Sequence, residues 1–246
     1  MKFDWGFQAG IGAFETIAVY NKQPMFLGEH IKRLNDTLNF LEIQKTISSS
    51  FVLDYIEKTK AKDYALKIMV SQENTIIKRR CNPYLNSPLY EKGASLKYSR
   101  VLRNESCPLT YHKTLNSAQN ILEKRKATKE GYLDAVFCNT KGFIAEGSTC
   151  NIFFIKQGQI FTPSMESGML PGIVRAYILS HYDVKEVGIL KEDVYKADSC
   201  FITNSLMGIM PVRELGEKVF ITDETAVPRI IKDIMKNYEK EKLYKR

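Results

Sequence analysis

Thirty residues in the middle of the chain, DAVFCNTKGFIAEGSTCNIFFIKQGQIFTP (134–163), limit its fold more than any other stretch. They read as four short apolar strands in succession. The first pair is joined by a turn at Asn139 to Gly142 and the second by KQGQ, so this region is sheet built from hairpins. Glu146 lies inside it, between Ala145 and Gly147. A carboxylate on a wet turn is ordinary, but one set in an apolar, small-residue strand pair needs a partner, because burying it unpaired is costly.

Two flanking stretches hold groups that such a carboxylate could work with. Upstream, HKTLNSAQNILEKRKATKEG carries Lys113 at the mouth of a predicted helix. Asn116 and Ser117 can cap that helix. Ala118, Ile121, Leu122 and Ala127 give it a partial apolar face, and Lys124, Arg125 and Lys126 fall to solvent. Taken alone, Lys113 is a surface charge. Downstream, MLPGIVRAYIL puts Pro171 and Gly172 at a helix start, where backbone N–H groups and the helix dipole favour an anion. One chain thus contains an amine, a carboxylate and an anion seat.

The remaining order is α/β. A strand is predicted over 14–20, a turn over 21–23 and a short strand at PMFL (24–27). A helix over 28–41 follows, with Ile31, Leu34, Leu38 and Leu41 at helical spacing and His30 and Arg33 near its front. A second helix over 51–60 and strands over 64–71 and 75–80 complete a small unit. CNPYLNSPLYEKG (81–93) reads as loop, and strand character resumes over 94–103. The expected organisation is a small α/β domain over 1–105, a linker near 106–110 and a larger domain over 111–246. The larger domain runs through KADSCFITNSLMGIMPV to a terminal helix with Val227, Ile230, Ile231, Ile234 and Met235 at helical spacing. A small-molecule site is expected in the cleft between the two.

Composition narrows the functional classes. At 246 residues and 44% apolar the chain can bury a core. Its net charge of +8 comes from scattered basic residues, apart from Lys78-Arg79-Arg80 and the tail EKEKLYKR, and no nucleic-acid module accompanies them. The charge therefore suits an anionic small-molecule substrate or a phosphate cofactor rather than a nucleic-acid partner. Cys81, Cys107, Cys138, Cys150 and Cys200 are odd in number and lack CxxC spacing, which fits reduced thiols in the cytoplasm. The three histidines are too scattered for a metal site. MKFDWGFQAG lacks the build of a signal peptide and no run approaches a membrane span, so a cytoplasmic protein is expected.

The order HKTLN, GFIAEGSTCNIFFI, IFTP, GMLPGIVR resembles the fold-type-IV pyridoxal-phosphate enzymes, and the likeness covers nearly the whole chain. This family includes branched-chain aminotransferases, D-amino-acid aminotransferases and 4-amino-4-deoxychorismate lyase. The resemblance implies a two-domain fold with a larger C-terminal pseudo-barrel, a homodimer, and pyridoxal 5'-phosphate as cofactor. It implies that Lys113 forms the Schiff base and later moves protons, and that Glu146 keeps the pyridine nitrogen protonated. For the phosphate it implies Arg33, in GEHIKRL, the backbone of Ile173 and Val174, and Ser205 beside Asn204. Arg175 reads as structural or solvated.

Within the family, aminotransferases tend to carry FEG or YEV where this chain has Phe14-Glu15-Thr16. The lyase typically has a threonine there, serving the leaving enolpyruvyl fragment as a proton source. TNSLMGIMPV also looks like the lyase's corresponding region. The resemblance thus implies a lyase that converts 4-amino-4-deoxychorismate to 4-aminobenzoate and pyruvate, with Thr16 and Lys113 catalytic. An amino-acid aminotransferase on the same scaffold is the alternative, and a non-catalytic cofactor-binding protein is a third reading. A glycine- and arginine-rich segment found in many lyases is replaced here by NTIIKRRCNPY, leaving Arg79 and Arg80 as candidates to grip substrate carboxylates. The chain enters GIGAFET early, so an early strand is expected to be shortened or missing.

Overall fold

The computed structural model describes residues 1–221 and 227–244. The chain forms two compact units, one of Met1–Leu85, His112–Ser117 and the chain end from Lys240, the other of Asn86–Tyr111 and Ala118–Glu239.

The first unit contains α1 (Trp5–Ala9), β1 (Gly12–Tyr20), β2 (Gln23–Pro24), α2 (Leu27–Phe40), α3 (Ser49–Glu57), β3 (Tyr64–Ser71) and β4 (Thr75–Arg80). Its sheet is antiparallel throughout, in the order β2-β1-β3-β4. Strand alternation sends Ala13, Ile17 and Val19 of β1 and Leu66, Ile68 and Val70 of β3 to one side. There they pack with Ile31, Leu34 and Leu38 of α2 and Val52 and Ile56 of α3. The other face, with Phe14, Thr16, Lys67 and Met69, is only half-buried. The strand expected at PMFL stops at Pro24 because Phe26 takes a left-handed conformation and caps α2. Sequence patterning missed α1. Its cap, Asp4, accepts the Gly6 and Phe7 amides, the Ser71 hydroxyl (2.6 Å) and the Glu73 amide (2.8 Å), fastening the N-terminus to the β3–β4 turn. The Ser71 hydroxyl and then the Glu73 amide lower the Asp4 pKa to about 2.

The second unit contains α4 (Leu89–Lys92), β5 (Ala94–Tyr98), α5 (Ala118–Lys129), β6 (Asp134–Cys138), β7 (Ile144–Gly147), β8 (Asn151–Lys156) and β9 (Gln159–Pro163). It continues with α6 (Ile173–His181), β10 (Val184–Val187), α7 (Lys191–Tyr195), β11 (Ser199–Asn204), β12 (Gly208–Leu215), β13 (Lys218–Val219) and most of α8 (Arg229–Tyr244). The strand order is β10-β9-β8-β11-β12-β5-β6-β7, with β13 on β12. Edge strand β7 passes into interior strand β8 through residues 148–150 alone. In a flat sheet those strands would lie roughly 24 Å apart, five spacings of about 4.8 Å, farther than so short a link reaches. The sheet is therefore curled on itself, the pseudo-barrel expected.

Three expectations change. β5, expected in the first domain, hydrogen-bonds to β12 and β6 and so belongs to the second unit, whereas His112–Ser117 go with the first. On α5, Ile121 and Leu122 are exposed while Glu123 and Ala127 are buried. Lys124 does not face solvent. β6 presents a fully buried carboxylate, Asp134, and the Lys124 ammonium pairs with it at 3.3 Å. The terminal helix buries Ile231 and Ile234 of the expected apolar residues and Tyr238 besides, while Ile230 and Met235 are half-buried. Lys245 and Arg246 of the basic tail lie outside the described residues.

Candidate active site

In the first unit Lys113 is held by a strand-like ladder rather than by the helix that follows it in sequence. The Phe14 N–H donates to the Lys113 carbonyl (3.0 Å), the Leu115 N–H donates to the Gly12 carbonyl (2.7 Å), and Ala13 bridges Thr114. This main-chain pairing brings Lys113 Nζ to 4.7 Å from the Phe14 ring centroid. Thr16, two residues on, displays its side chain on the same half-buried face. His112 stacks on Phe40 at 3.8 Å between centroids.

Arg33 lies on the core side of the sheet, against Glu15. Its Nε donates to Oε1 (2.6 Å) and its Nη2 to Oε2 (2.9 Å), while His30 Nδ1 is 2.7 Å from Oε2. Glu15 and His30 are both fully buried. Burial alone would raise the Glu15 carboxyl, but the charges and hydrogen bonds of Arg33 and His30 outweigh it and hold it well below the usual range. Burial lowers the His30 pKa despite its carboxylate partner, so at neutral pH the ring is uncharged and Nδ1 carries the proton that Glu15 accepts. His30 Nε2 is buried without a hydrogen-bond partner. Glu15 is marked in the sequence only by its phase: it alternates with Ala13 and Ile17, which are core residues. An acid on the core side of a strand demands a cation.

In the second unit Glu146 is buried on β7. Its Oε1 accepts Arg103 Nη2 at 3.0 Å and its Oε2 accepts the Leu170 N–H at 3.2 Å. Arg103 is itself buried, its guanidinium 4.2 Å from the Phe137 ring centroid and its Nη1 donating to Asn120 Oδ1 (3.2 Å). This partner was missed, since Arg103 sits in a segment that read as the tail of a strand.

Gly172 caps α6 in extended conformation, no side chain caps that end, and Ile173 and Val174 open the helix. A Cβ on Gly172 would collide with Asn151 Oδ1, and Asn151 is pinned by its own bond to the Leu170 carbonyl (3.0 Å). Asn204 Oδ1 accepts the Leu206 and Met207 amides (2.9 and 2.8 Å), and its Nδ2 donates to the Thr149 carbonyl (3.1 Å). Asn204 therefore shapes the turn that presents Ser205. The Thr203 hydroxyl, cross-strand from Asn151, is buried without a partner. Arg175 is structural, pairing with Glu186 (2.5 Å) and the Pro163 carbonyl (3.0 Å).

The first unit thus carries Lys113, Thr16 and Arg33, and the second carries Glu146, Ile173, Val174, Asn204 and Ser205. Their chemistry fits a phosphorylated pyridine aldehyde. The uncapped helix start, with its glycine and the orphaned Thr203 hydroxyl close by in the sheet, suits a phosphate, Glu146 suits a protonated ring nitrogen, and Lys113 suits an aldehyde. Among the described residues, no three His, Cys, Asp or Glu side chains gather to hold a metal ion, and no helix is long and apolar enough to cross a membrane.

Residues 12–215 match the family model described as amino-transferase class IV. The chain is 30% identical to the aminodeoxychorismate lyase of Bacillus subtilis over 242 residues, 87% of this chain and 81% of that one. It is 25% identical over 237 residues to a Thermotoga maritima protein assigned as a branched-chain-amino-acid aminotransferase, covering 92% and 84% of the two chains. Among solved structures, a Legionella pneumophila protein assigned as a 4-amino-4-deoxychorismate lyase superposes with TM-score 0.86 at 27% identity, covering 98% of this chain and 96% of that one.

Proposed function

The chain belongs to the class IV aminotransferase family, and from that premise we propose that it is a pyridoxal-phosphate-dependent lyase converting 4-amino-4-deoxychorismate to 4-aminobenzoate and pyruvate. The observation that carries this reading is Thr16, whose hydroxyl-bearing side chain shares one sheet face with the Lys113 amine in a chain similar to an aminodeoxychorismate lyase.

When bound, the cofactor supplies an electron sink for the carbon next to the substrate nitrogen. Lys113 anchors the cofactor's aldehyde and, once released, takes the proton from that carbon. Glu146, paired with Arg103 at 3.0 Å, holds the proton on the ring nitrogen. The Ile173 and Val174 amides, the Ser205 hydroxyl and Arg33 hold the phosphate, with Arg33 aimed by Glu15 and Ser205 by the Asn204 turn. Thr16 relays the proton that Lys113 took from the ring carbon to the methylene carbon of the enolpyruvyl fragment, which leaves as pyruvate while the ring aromatises. A homodimer in the cytoplasm completes the reading, and the five free cysteines suit it.

The similarity to a branched-chain aminotransferase over most of both chains supports the second reading, an amino-acid aminotransferase. Thr16→Val separates the two by deleting a hydroxyl at nearly constant shape. Lyase turnover should fall about a hundredfold, the ordinary worth of a positioned general acid. Cofactor absorbance and the half-reaction with amino acids should stay near parental. Parental production of 4-aminobenzoate by the variant would remove Thr16 from the mechanism.

A further inference from the structure

One buried carboxylate of the second unit takes no part in the chemistry above. Asp134 opens β6 and is fully buried. Its Oδ1 accepts the Ala135 N–H (2.7 Å), the Ser148 N–H (3.1 Å) and the Ser148 hydroxyl. Its Oδ2 accepts the Thr149 N–H (3.2 Å), the Thr149 hydroxyl (2.7 Å) and the Cys150 thiol (3.5 Å), with the Lys124 ammonium at 3.3 Å. Only a carboxylate serves so many donors. An asparagine in its place would accept at one oxygen and turn two N–H groups on the remaining donors. Asp134 therefore fastens residues 148–150, the link from β7 to β8, at each of its three residues.

The carbonyls of that link lead to the two ends of the site. The Ser148 carbonyl accepts Asn120 Nδ2 (2.8 Å), Asn120 Oδ1 accepts Arg103 Nη1 (3.2 Å), and Arg103 Nη2 donates to Glu146 (3.0 Å). The Thr149 carbonyl accepts Asn204 Nδ2 (3.1 Å), and Asn204 Oδ1 accepts the Leu206 and Met207 amides that close the turn carrying Ser205. From this branching we infer that Asp134 is a positioning residue that sets both ends of the cofactor seat at once, the ring-nitrogen end through Ser148 and the phosphate end through Thr149. The inference rests on the proposed cofactor reading, deepens it, and holds for lyase and aminotransferase alike. Every group in it belongs to the second unit. Because Asp134 is dry, water cannot replace a bond lost there, and a shift of the link passes into both branches together.

The test reads binding rather than turnover. Apoprotein is titrated with pyridoxal 5'-phosphate and with pyridoxal, which lacks the phosphate, and bound cofactor labelled at the ring nitrogen reports by NMR whether that nitrogen stays protonated. Asp134→Asn should raise the pyridoxal-phosphate Kd about tenfold or more and move the ring-nitrogen resonance toward that of a neutral pyridine. Asp4→Asn, which strips a comparable set of hydrogen bonds from the first unit, should lower Tm but leave both readouts parental. Two milder variants keep the test alive if Asp134→Asn fails to fold. Ser148→Ala should weaken both ligands by the same factor and move the resonance, whereas Thr149→Val should weaken pyridoxal phosphate alone and leave the resonance in place. Parental Kd and resonance in a folded Asp134→Asn would overturn the inference, as would equal shifts in Asp4→Asn or identical profiles for Ser148→Ala and Thr149→Val. A parent that binds no pyridoxal phosphate would overturn the cofactor reading and this inference with it. A parent that binds it tightly, beside an Asp134→Asn that binds it equally well, would overturn the inference alone.

Discussion

Replacing Glu15 with glutamine keeps the shape of the side chain and removes the charge on which two neighbours depend. Arg33 spans both carboxylate oxygens at 2.6 and 2.9 Å, and His30 Nδ1 lies 2.7 Å away. Glu15 is fully buried and the Arg33 side chain only 13% exposed, so the guanidinium left behind cannot recover its solvation. Breaking a buried pair from one side costs about 3–5 kcal/mol. Glutamine still accepts one hydrogen bond, which puts the expected loss near 3 kcal/mol. For a chain of this length each kcal/mol moves Tm by about 2–4 °C, so calorimetry of the apoprotein should show a fall of about 6–12 °C. The double variant Glu15→Met, Arg33→Met removes the stranded cation as well and should recover most of that loss, since apolar replacement of a buried pair is often neutral. A fall of less than about 2 °C in Glu15→Gln would mean that the carboxylate is not the keystone of this sheet face.

Three further outcomes are expected. The purified protein should be yellow and carry a borohydride-reducible link that peptide mapping places on Lys113; Lys113→Ala should abolish the link, and a pyridoxyl group on another lysine would overturn the assignment. Gly172→Ala drives a methyl into Asn151 Oδ1 at the helix start, so it should cost about 1–3 kcal/mol of stability and weaken cofactor binding measured by absorbance titration; unchanged binding would separate this cradle from the phosphate. Burial lowers the folded-state pKa of His30 below its unfolded value of 6.5, so the unfolded chain takes up a proton first as pH drops. Stability present above pH 6.5 should therefore decline below it, by up to about 1.4 kcal/mol per pH unit, and His30→Gln should flatten that slope in denaturant titrations run downward from pH 6.5. Glu15 follows the same sign in a lower window: its stabilising contribution is full above 4.5 and is lost only in stronger acid.

Local order was legible because it is written in short-range patterns. The strands Tyr64–Ser71 and Thr75–Arg80 follow from two short runs rich in apolar and β-branched residues separated by the turn QEN, and α2 follows from its apolar stripe. Glu146 could be singled out because its apolar, small-residue setting is local too. What stayed hidden depends on distant partners. Arg103 lies 43 residues before the carboxylate it neutralises. The ladder that holds Lys113 to β1 is made by main-chain groups, which leave no mark on side-chain choice. α5 buries Glu123 and Ala127 instead of its own leucine and isoleucine, with Glu123 accepting the Ser99 hydroxyl at 2.8 Å and Lys124 pairing with Asp134 of β6, partners that lie in other elements. β5 went to the other unit because its partners, β12 and β6, come later in the chain.

Holoenzyme incubated with enzymatically generated 4-amino-4-deoxychorismate should release 4-aminobenzoate, followed by its fluorescence, and pyruvate, followed with a coupled dehydrogenase, in equal amounts and at a rate proportional to enzyme. Absence of 4-aminobenzoate from protein that exchanges amino groups between an amino acid and a 2-oxo acid would contradict the lyase and establish the aminotransferase in its place.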